Sequence, residues 1–328
     1  MKRIEISSSE ELKDAINRIS PDNSEEINIK LAPGKYQGPV TIDRPNLVID
    51  GYDPETTIIS GDLGAFEILE DGLKRGTFRT QTVFIDADNV RLKNLTIENK
   101  AGRGEEAGQA IALYADGDNL IFENCRFLGS QDTIFTAPLP EKEVEAGGFR
   151  GPKEFAERRM THQYYRDCYI EGDVDFIFGG GTAFFDNCEI FALKRDKGYI
   201  TAASTPKGEK FGYVFYKCRF TSDSAEGSYY LGRPWRENAK TVILESELGR
   251  HIAKEGWHEW SGRCEAGGVY YAEYMSFGEG AADDERASYA HILNDEEARI
   301  YIDEINLLRK KSYCSQANCA LRCAVMPQ

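Results

Sequence analysis

A short strand motif recurs along this chain, and it restricts the fold more strongly than any other feature of the sequence. Each copy begins and ends with an aromatic or aliphatic residue, with polar residues and a central leucine, cysteine or serine between them. The copies lie at residues 92–97, 122–127, 165–170, 185–190 and 216–220, with a looser one at 243–248. Strands that repeat roughly every 20–30 residues, none of which can bury its apolar face alone, indicate a solenoid. No helical pattern separates the strands, so we predict an all-β fold, a single parallel β-helix.

Four cysteines occupy the same place in successive copies of the motif. They are Cys125, Cys168, Cys188 and Cys218, at intervals of 43, 20 and 30 residues. One position of each coil faces the solenoid interior, and a free cysteine there behaves as a small hydrophobic residue. We therefore predict an internal column of cysteines rather than metal or redox chemistry. The longest interval contains an insertion, 137–162, which we predict to be a long loop with a helical part at 152–159.

Helical patterns are confined to the two ends of the chain. Residues 8–19 start with a capping box of Ser8 and Glu11 and carry one apolar face, so an N-terminal capping helix is predicted. Apolar residues recur at helical spacing in 295–310, which predicts a C-terminal helix that caps the solenoid or packs along it.

We predict no domain boundary within residues 1–311. The remainder, 312–328, is interpreted as a flexible tail. A zinc site is the alternative interpretation, because three cysteines lie close together there: Cys314, Cys319 and Cys323. Structural zinc, however, usually requires CxxC-like pairs.

Composition limits the partners and the compartment. The chain has 328 residues and a net charge of −15, which argues against nucleic acid and anionic membrane surfaces but allows a locally positive cleft. No apolar run approaches the roughly 20 residues of a membrane span. The first residues lack the apolar segment of a signal peptide. The expectation is a cytoplasmic monomer, and the alternative is a secreted protein whose leader has been removed.

Several polar side chains interrupt the apolar strands and are candidates for chemistry. They are Gln109, Gln131, Asp132, Asp175 and Arg233, followed closely by Trp235. Asp175 lies between Val174 and Phe176, and a carboxylate in such a run is costly to bury unless another group pairs with it. The sequence has no GxSxG elbow and no HExxH pair, and its glycine run at 179–181 lacks the lysine of a phosphate loop.

These residues lie in blocks that resemble a known family. GQAIAL, GSQDTIF, GDVDFIFG, LGRPW and GWHEW, in that order, resemble the signature blocks of pectin methylesterases. The similarity extends over roughly residues 8 to 308. It implies a right-handed parallel β-helix and hydrolysis of galacturonate methyl esters to carboxylate and methanol, without a metal or cofactor. The implied partner is methyl-esterified homogalacturonan or its oligomers.

The resemblance implies a role for each matching catalytic position. Asp175 matches the nucleophile, Asp132 the general acid and base, and Arg233 the residue that holds the nucleophile. Gln109 and Gln131 match the residues that stabilise the oxyanion. On physical grounds, Arg233 is expected to lower the pKa of Asp175, whereas Asp132, shielded and near a second carboxylate, is expected to retain its proton.

Three aromatic residues match positions along the sugar-binding groove. They are Trp235, Phe178 and Trp257. Gly38, Lys100, Phe135 and the pair Gly180-Gly181 depart from the usual family residues, but none of them is a catalytic position. The insertion 137–162 is longer than in plant-type members, which leads to the hypothesis that it walls the cleft and favours short oligomers over polymer.

Two other functions fit parts of the same pattern. A β-helix glycosidase would use the two carboxyl groups across a sugar bond, and a lyase would need a cation or a basic residue at the cleft. A catalytically inactive carbohydrate-binding β-helix is the third reading. Taken singly, the glutamines can form a stacked amide ladder, and the Arg233–Asp175 pair can be purely structural. The joint occurrence of Asp132, Asp175 and Arg233 favours the esterase.

Overall fold

The computed structural model describes residues 2–264 and 267–314, in which short strands follow one another almost without interruption. In chain order the strands are β1 (Lys2–Ile6), β2 (Ile27–Leu31), β3 (Gly34–Gln37), β4 (Val40–Ile42), β5 (Leu47–Asp50), β6 (Thr57–Gly61), β7 (Val83–Ile85), β8 (Arg91–Lys93), β9 (Thr96–Asn99), β10 (Leu113–Ala115), β11 (Leu120–Glu123), β12 (Arg126–Leu128), β13 (Ile134–Thr136), β14 (His162–Arg166), β15 (Tyr169–Gly172), β16 (Val174–Gly179), β17 (Thr182–Asp186), β18 (Glu189–Ala192), β19 (Gly198–Ala203), β20 (Tyr213–Tyr216), β21 (Arg219–Ser222), β22 (Tyr229–Gly232), β23 (Lys240–Leu244), β24 (Glu247–Leu248), β25 (Tyr270–Tyr274) and β26 (Ala290–Ile292). The helices are α1 (Ser9–Asn17), α2 (Gly104–Ala107) and α3 (Asp295–Cys314), and single 3₁₀ turns lie at Thr77–Arg79 and Asp283–Glu285.

The strands form three sheets with parallel pairing throughout. Sheet A has the order β1-β2-β5-β8-β11-β14-β17-β20-β23-β25-β26, sheet B the order β24-β21-β18-β15-β12-β9-β6-β3, and sheet C the order β22-β19-β16-β13-β10-β7-β4. Each strand pairs with a strand of the next coil, as β10 does with β13 and β13 with β16. This is the parallel β-helix that the repeat predicts.

The repeated motif turns the chain from sheet A to sheet B. Its turn residue has a positive φ, which is 54° at Asn94, 49° at Asn124 and 54° at Asn187. Asparagine tolerates this left-handed conformation better than most residues. The side chains also bond from coil to coil, since Asn124 Nδ2 donates to Asn94 Oδ1 at 2.8 Å. The polar residues in the middle of the motif therefore form its turn.

The interior is filled by the apolar positions of the same motif. Cys125, Cys168, Cys188 and Cys218 are all buried and unoxidised, which confirms the predicted cysteine column. Beside them four aromatic rings stack in successive coils of sheet A, with centroids 4.5–4.7 Å apart: Phe122, Tyr165, Phe185 and Phe215. Each coil thus covers the apolar surface of the next one.

Helix α1 closes the first end of the β-helix, as the capping box predicts. Ser8 Oγ accepts from the Glu11 amide at 3.2 Å, and the Glu11 carboxylate accepts from the amide of Ser7 at 2.8 Å. The buried residues Leu12 and Ile16 join the core of the first coils. A hydrophobic core open at its end would leave that apolar surface in water.

The predicted C-terminal helix is present as α3. Within the described residues, those up to Ile292 form one compact unit and those from Leu293 form a second. The single domain over 1–311 therefore stays a prediction. Residues 315–328, including Cys319 and Cys323, lie outside the described residues. None of the described helices combines the length and apolar character that a membrane span requires.

The insertion is a loop, and its predicted helical part at 152–159 is wrong. That segment forms turns instead, because hydrogen bonds and ion pairs to its surroundings hold it. Lys153 pairs with Asp86 and, at 3.6 Å, with Asp116. The Arg158 guanidinium donates to carbonyls within the segment, including those of Lys153 and Glu154. The ion pairs of Lys153 and the local bonds from Arg158 to carbonyls together prevail over helix propensity.

Candidate active site

A cavity of about 450 Å³ lies on the outer face of sheet C. It is lined by Thr77, Phe78, Gln109, Gln131, Asp132, Val144, Glu145, Gly148, Phe149, Asp175, Phe178, Ala202, Arg233, Trp235, Arg236, Trp260, Ser261 and Arg263. All five predicted catalytic residues are among them, although they come from four coils. The parallel stacking of β10, β13, β16 and β22 in sheet C brings these distant segments together.

Asp175 reaches the cavity because strand β16 carries an irregularity. The register to β19 shifts between Val174 and Ile177, and Asp175 has a φ of 49°. An extra residue of this kind bends a strand and re-aims a side chain. A left-handed backbone at a residue other than glycine is uncommon and is a feature of strained functional positions. The neighbouring Phe176 lies in the core, whereas Asp175 lies in the cavity.

Arg233 holds Asp175 through two parallel hydrogen bonds. Nε donates to Oδ1 at 2.9 Å and Nη2 to Oδ2 at 2.7 Å. Both carboxylate oxygens accept, so the geometry suits the ionised form. Burial nevertheless raises the pKa of Asp175 above its ordinary value, and the bonds from Arg233 offset only part of this. Arg233 therefore lowers the pKa of Asp175, as expected, but burial raises it by more.

Asp132 lies in the preceding coil, which pairs with the coil that carries Asp175. Its backbone amide donates to the carbonyl of Val174 at 3.1 Å, and its φ is 66°. Burial raises the pKa of Asp132 well above its ordinary value, and the negative charge of Asp175 adds to the effect. This direction agrees with the expected proton donor. Two neighbouring carboxyl groups therefore differ in environment, because Arg233 bonds to only one of them.

The two glutamines lie beside these carboxyl groups on successive coils. The amide of Ala110, next to Gln109, donates to the carbonyl of Gln131 at 3.1 Å. Gln131 pairs in turn with Val174, the residue before Asp175. Neither side-chain amide is bonded to another of the described groups, so no amide ladder consumes its donors. Both remain available for an oxygen atom in the cavity.

Two of the three predicted groove aromatics line the cavity, and the third does not. Trp235 and Phe178 lie in it, with ring centroids 5.6 Å apart. Trp257 is only 1% exposed and stacks on Tyr271 in the core, with centroids 4.2 Å apart. Its assignment to the groove is therefore wrong. Trp257 pairs with Gly232 on the edge of sheet C, and this pairing leaves its ring inside the solenoid.

The sequence analysis missed Trp260, the second tryptophan of the GWHEW block. It lines the cavity and lies over the Arg233 guanidinium at 4.0 Å, while Tyr199 lies over the same guanidinium at 3.8 Å. These rings hold Arg233 in place through cation–π contacts. The GWHEW block predicts an aromatic residue in the cavity, but it does not show which of its two tryptophans points there.

The fold and site together define a carbohydrate esterase class: a parallel β-helix that carries in one groove a carboxylate paired with arginine, a second buried carboxyl group with a raised pKa, two amide donors and aromatic rings. The family model described as Pectinesterase matches residues 5–139 and 155–307. The chain therefore belongs to the pectinesterase family, enzymes that hydrolyse the methyl esters of pectin. The unmatched residues between the two segments lie within the predicted insertion.

Individual relatives agree with this assignment. The chain is 33% identical to pectinesterase 31 of Arabidopsis thaliana over 298 residues, which cover 89% of this chain and 86% of the relative. Among solved structures, it is similar to the pectin methylesterase PemA from Erwinia chrysanthemi, with 26% identity, a TM-score of 0.71 and coverage of 92% and 94%. Another pectin methylesterase, solved in complex with a hexasaccharide, shows 27% identity, a TM-score of 0.70 and coverage of 88% and 90%. The fold is accordingly a right-handed parallel β-helix.

Proposed function

We propose that this protein hydrolyses galacturonate methyl esters in pectin or pectic oligomers, with Asp175 as nucleophile and Asp132 as general acid and base. The observation that supports this most strongly is the difference between the two carboxyl groups. Asp175 is fixed by two bonds from Arg233, whereas burial raises the pKa of Asp132. An ester hydrolase that uses two carboxyl groups needs one as an anion and the other as an acid.

In the first step, an oxygen of Asp175 attacks the ester carbonyl carbon. The carbonyl oxygen becomes an oxyanion, which the side-chain amides of Gln109 and Gln131 stabilise by donating hydrogen bonds. Loss of one such donor typically costs about 3–4 kcal/mol of transition-state stabilisation. Asp132 gives its proton to the departing methoxy oxygen, and methanol leaves. The product of this step is an anhydride between the substrate and Asp175.

In the second step, Asp132 is a carboxylate and accepts a proton from water. The hydroxide oxygen attacks the substrate carbonyl carbon, and Asp175 leaves as a carboxylate that again pairs with Arg233. The new galacturonic acid loses its proton to solvent. Both active-site groups return to their initial protonation states, as a catalytic cycle requires.

The inserted loop supports a proposal about substrate length. Val144, Glu145, Gly148 and Phe149 belong to the loop and line the cavity. Phe149 packs edge-on against Trp235, with ring centroids 6.3 Å apart. A loop that forms one wall of the groove leaves less room for a long polymer chain. We therefore propose that the protein prefers short oligomers.

The activity is tested by the products formed from methylated polygalacturonate. We expect methanol release with unchanged chain length. New reducing ends would indicate a glycosidase, and new unsaturated ends would indicate a lyase. The absence of all three products, with the polymer still bound, would indicate a binding module and contradict the proposed function.

A further inference from the structure

Asp173 is a buried carboxyl group near the catalytic pair, and the steps above give it no role. It precedes Asp175 by two residues, and its amide donates to the carbonyl of Ser130, two residues before Asp132, at 3.0 Å. This bond fixes Asp173 beside both catalytic segments. Asp173 does not line the active-site cavity, so it lies outside the surface that a substrate touches.

The side chain of Asp173 is bonded on one side only. Its Oδ2 accepts from Arg195 Nη1 at 2.9 Å, and the side chains of Asp173 and Arg195 are 2% and 23% exposed. Its Oδ1 is buried and has no hydrogen-bond partner among the described residues. In Asp175, by contrast, both oxygens accept from Arg233. The charge of Asp173 is therefore less completely compensated, and the interior screens it weakly.

Arg195 is held from several sides and reaches the surface. Its Nη2 pairs with the exposed Glu105. Its Nε donates to the carbonyl of Lys197 at 2.8 Å, and its amide donates to Ser224 Oγ at 3.0 Å. Because one guanidinium is shared by two carboxylates, it offsets the charge of Asp173 only in part.

The charge of Asp173 acts on both catalytic carboxyl groups. Burial raises the pKa of Asp132 and of Asp175, and the negative charge of Asp173 raises each of them further. The positive charge of Arg233 opposes this at both groups. Arg233 thus favours loss of the proton that Asp132 has to donate, and Asp173 acts against that loss.

The surroundings of Asp173 determine when it is charged. Besides the two catalytic carboxyl groups, the ionisable groups around it are Arg195 and Tyr229 and, on the exposed surface, Arg103, Glu105, Lys194, Asp196 and Lys197. Burial raises the pKa of Tyr229, so this phenol is neutral, and solvent screens the exposed charges. Burial also raises the pKa of Asp173, and Arg195 lowers it. The pKa of Asp132 is raised further, so Asp173 is already a carboxylate when Asp132 loses its proton.

We propose that Asp173 is a positioning residue for the catalytic proton: its carboxylate, held by Arg195, keeps the proton on Asp132 and so extends the acid form to higher pH. This role rests on the proposed function, because it acts through the acid of the first step. Since the same charge disfavours the anion of Asp175, both limbs of the pH profile of kcat depend on it. Asp173 thereby sets the pH range of the reaction without contacting the substrate.

The first test measures the titration of Asp132 in the full-length protein without substrate. The aspartate side-chain carboxyl carbons are labelled with carbon-13 for NMR, and the Asp132 resonance is identified by its loss in Asp132→Asn. We expect Asp173→Asn to lower the midpoint pH of this titration by at least about 0.5 unit, because a nearby negative charge is removed. Asp173→Ser repeats the removal of charge with a smaller side chain, should the asparagine variant not fold. An unchanged midpoint in the folded variant would overturn the role of Asp173.

The second test follows kcat for methanol release across the pH range. Asp173→Asn should move both limbs of the profile to lower pH, with KM unchanged because Asp173 touches no substrate. A lower kcat at every pH with both limbs in place would indicate a purely structural role and contradict the proposal. The control, Glu189→Gln, removes a carboxylate of sheet B and should keep the wild-type profile and the wild-type midpoint of Asp132. Absence of methanol release by the wild type would refute the proposed function, whereas the titration decides the role of Asp173 separately.

Discussion

Replacement of Arg233 by alanine should destabilise the fold, because Asp175 would lose its partner while remaining buried. The two side chains are only 19% and 9% exposed. Removing one member of a buried pair costs about 3–5 kcal/mol, because the other charge is left uncompensated. For a β-helix of this size, that loss lowers Tm by roughly 5–8 °C. Denaturant unfolding of wild type and variant measures the free energy directly.

The pH dependence of this loss has a definite sign. The pKa of Asp175 is higher in the folded than in the unfolded state, so its contribution to stability is present below the unfolded pKa and is lost as pH rises through the folded pKa. Removing Arg233 removes the interaction that lowers the folded pKa, which therefore rises further. The destabilisation should be larger at about pH 7.5 than at about pH 4.5.

Two controls separate the ion pair from the other contacts of Arg233. Arg233 also stacks on Tyr199 and Trp260, so part of the loss comes from these rings. In the double variant Asp175→Asn/Arg233→Ala no buried carboxylate remains, and much of the stability should return. An exposed pair, Arg219 with Glu189, should lose less than about 1 kcal/mol on Arg219→Ala. An unchanged Tm for Arg233→Ala would refute the reasoning.

The remaining predictions concern packing, substrate length and pH. Trp257→Ala should cost about 3–5 kcal/mol of stability, whereas Trp260→Ala should mainly raise KM, and the reverse pattern would invalidate the assignment of the two rings. Deleting residues 140–158 should shift the preference from oligomer towards polymer; an unchanged ratio of kcat/KM values would count against a walled groove. Because burial raises the pKa of Asp132, kcat should fall as pH rises through that pKa and the acid is lost. A kcat that shows no fall on the alkaline side of its pH profile is incompatible with this acid.

Much of the fold could be predicted because the same order of apolar and polar residues recurs in each copy of the motif. The inward cysteines and the turn asparagines follow from the same few positions, so each copy supports the others. Helix α1 was predicted from its capping box, which is a local signal. The segment 152–159 was not predicted correctly, since its conformation depends on contacts such as those of Lys153 with Asp86 and Asp116.

The site was predictable in its residues, in the raised pKa of Asp132 and in the effect of Arg233 on Asp175, but not in the net pKa shift of Asp175. The blocks name Asp132, Asp175 and Arg233, but a pKa depends on how deeply a carboxyl group is buried, which no motif records. Whether Trp257 or Trp260 points into the cavity or into the core depends on where the edge of sheet C lies relative to each ring. Sequence spacing alone could not distinguish these two tryptophans.

The most direct test of the account is the rate of methanol release by Asp175→Asn, compared with the wild type on the same methylated oligomer. Asparagine keeps the shape of aspartate but removes the attacking anion. We predict a loss of essentially all turnover, with a circular dichroism spectrum like that of the wild type. Turnover above about a tenth of the wild-type rate, which corresponds to less than about 1.4 kcal/mol in the barrier, would contradict the nucleophile assignment.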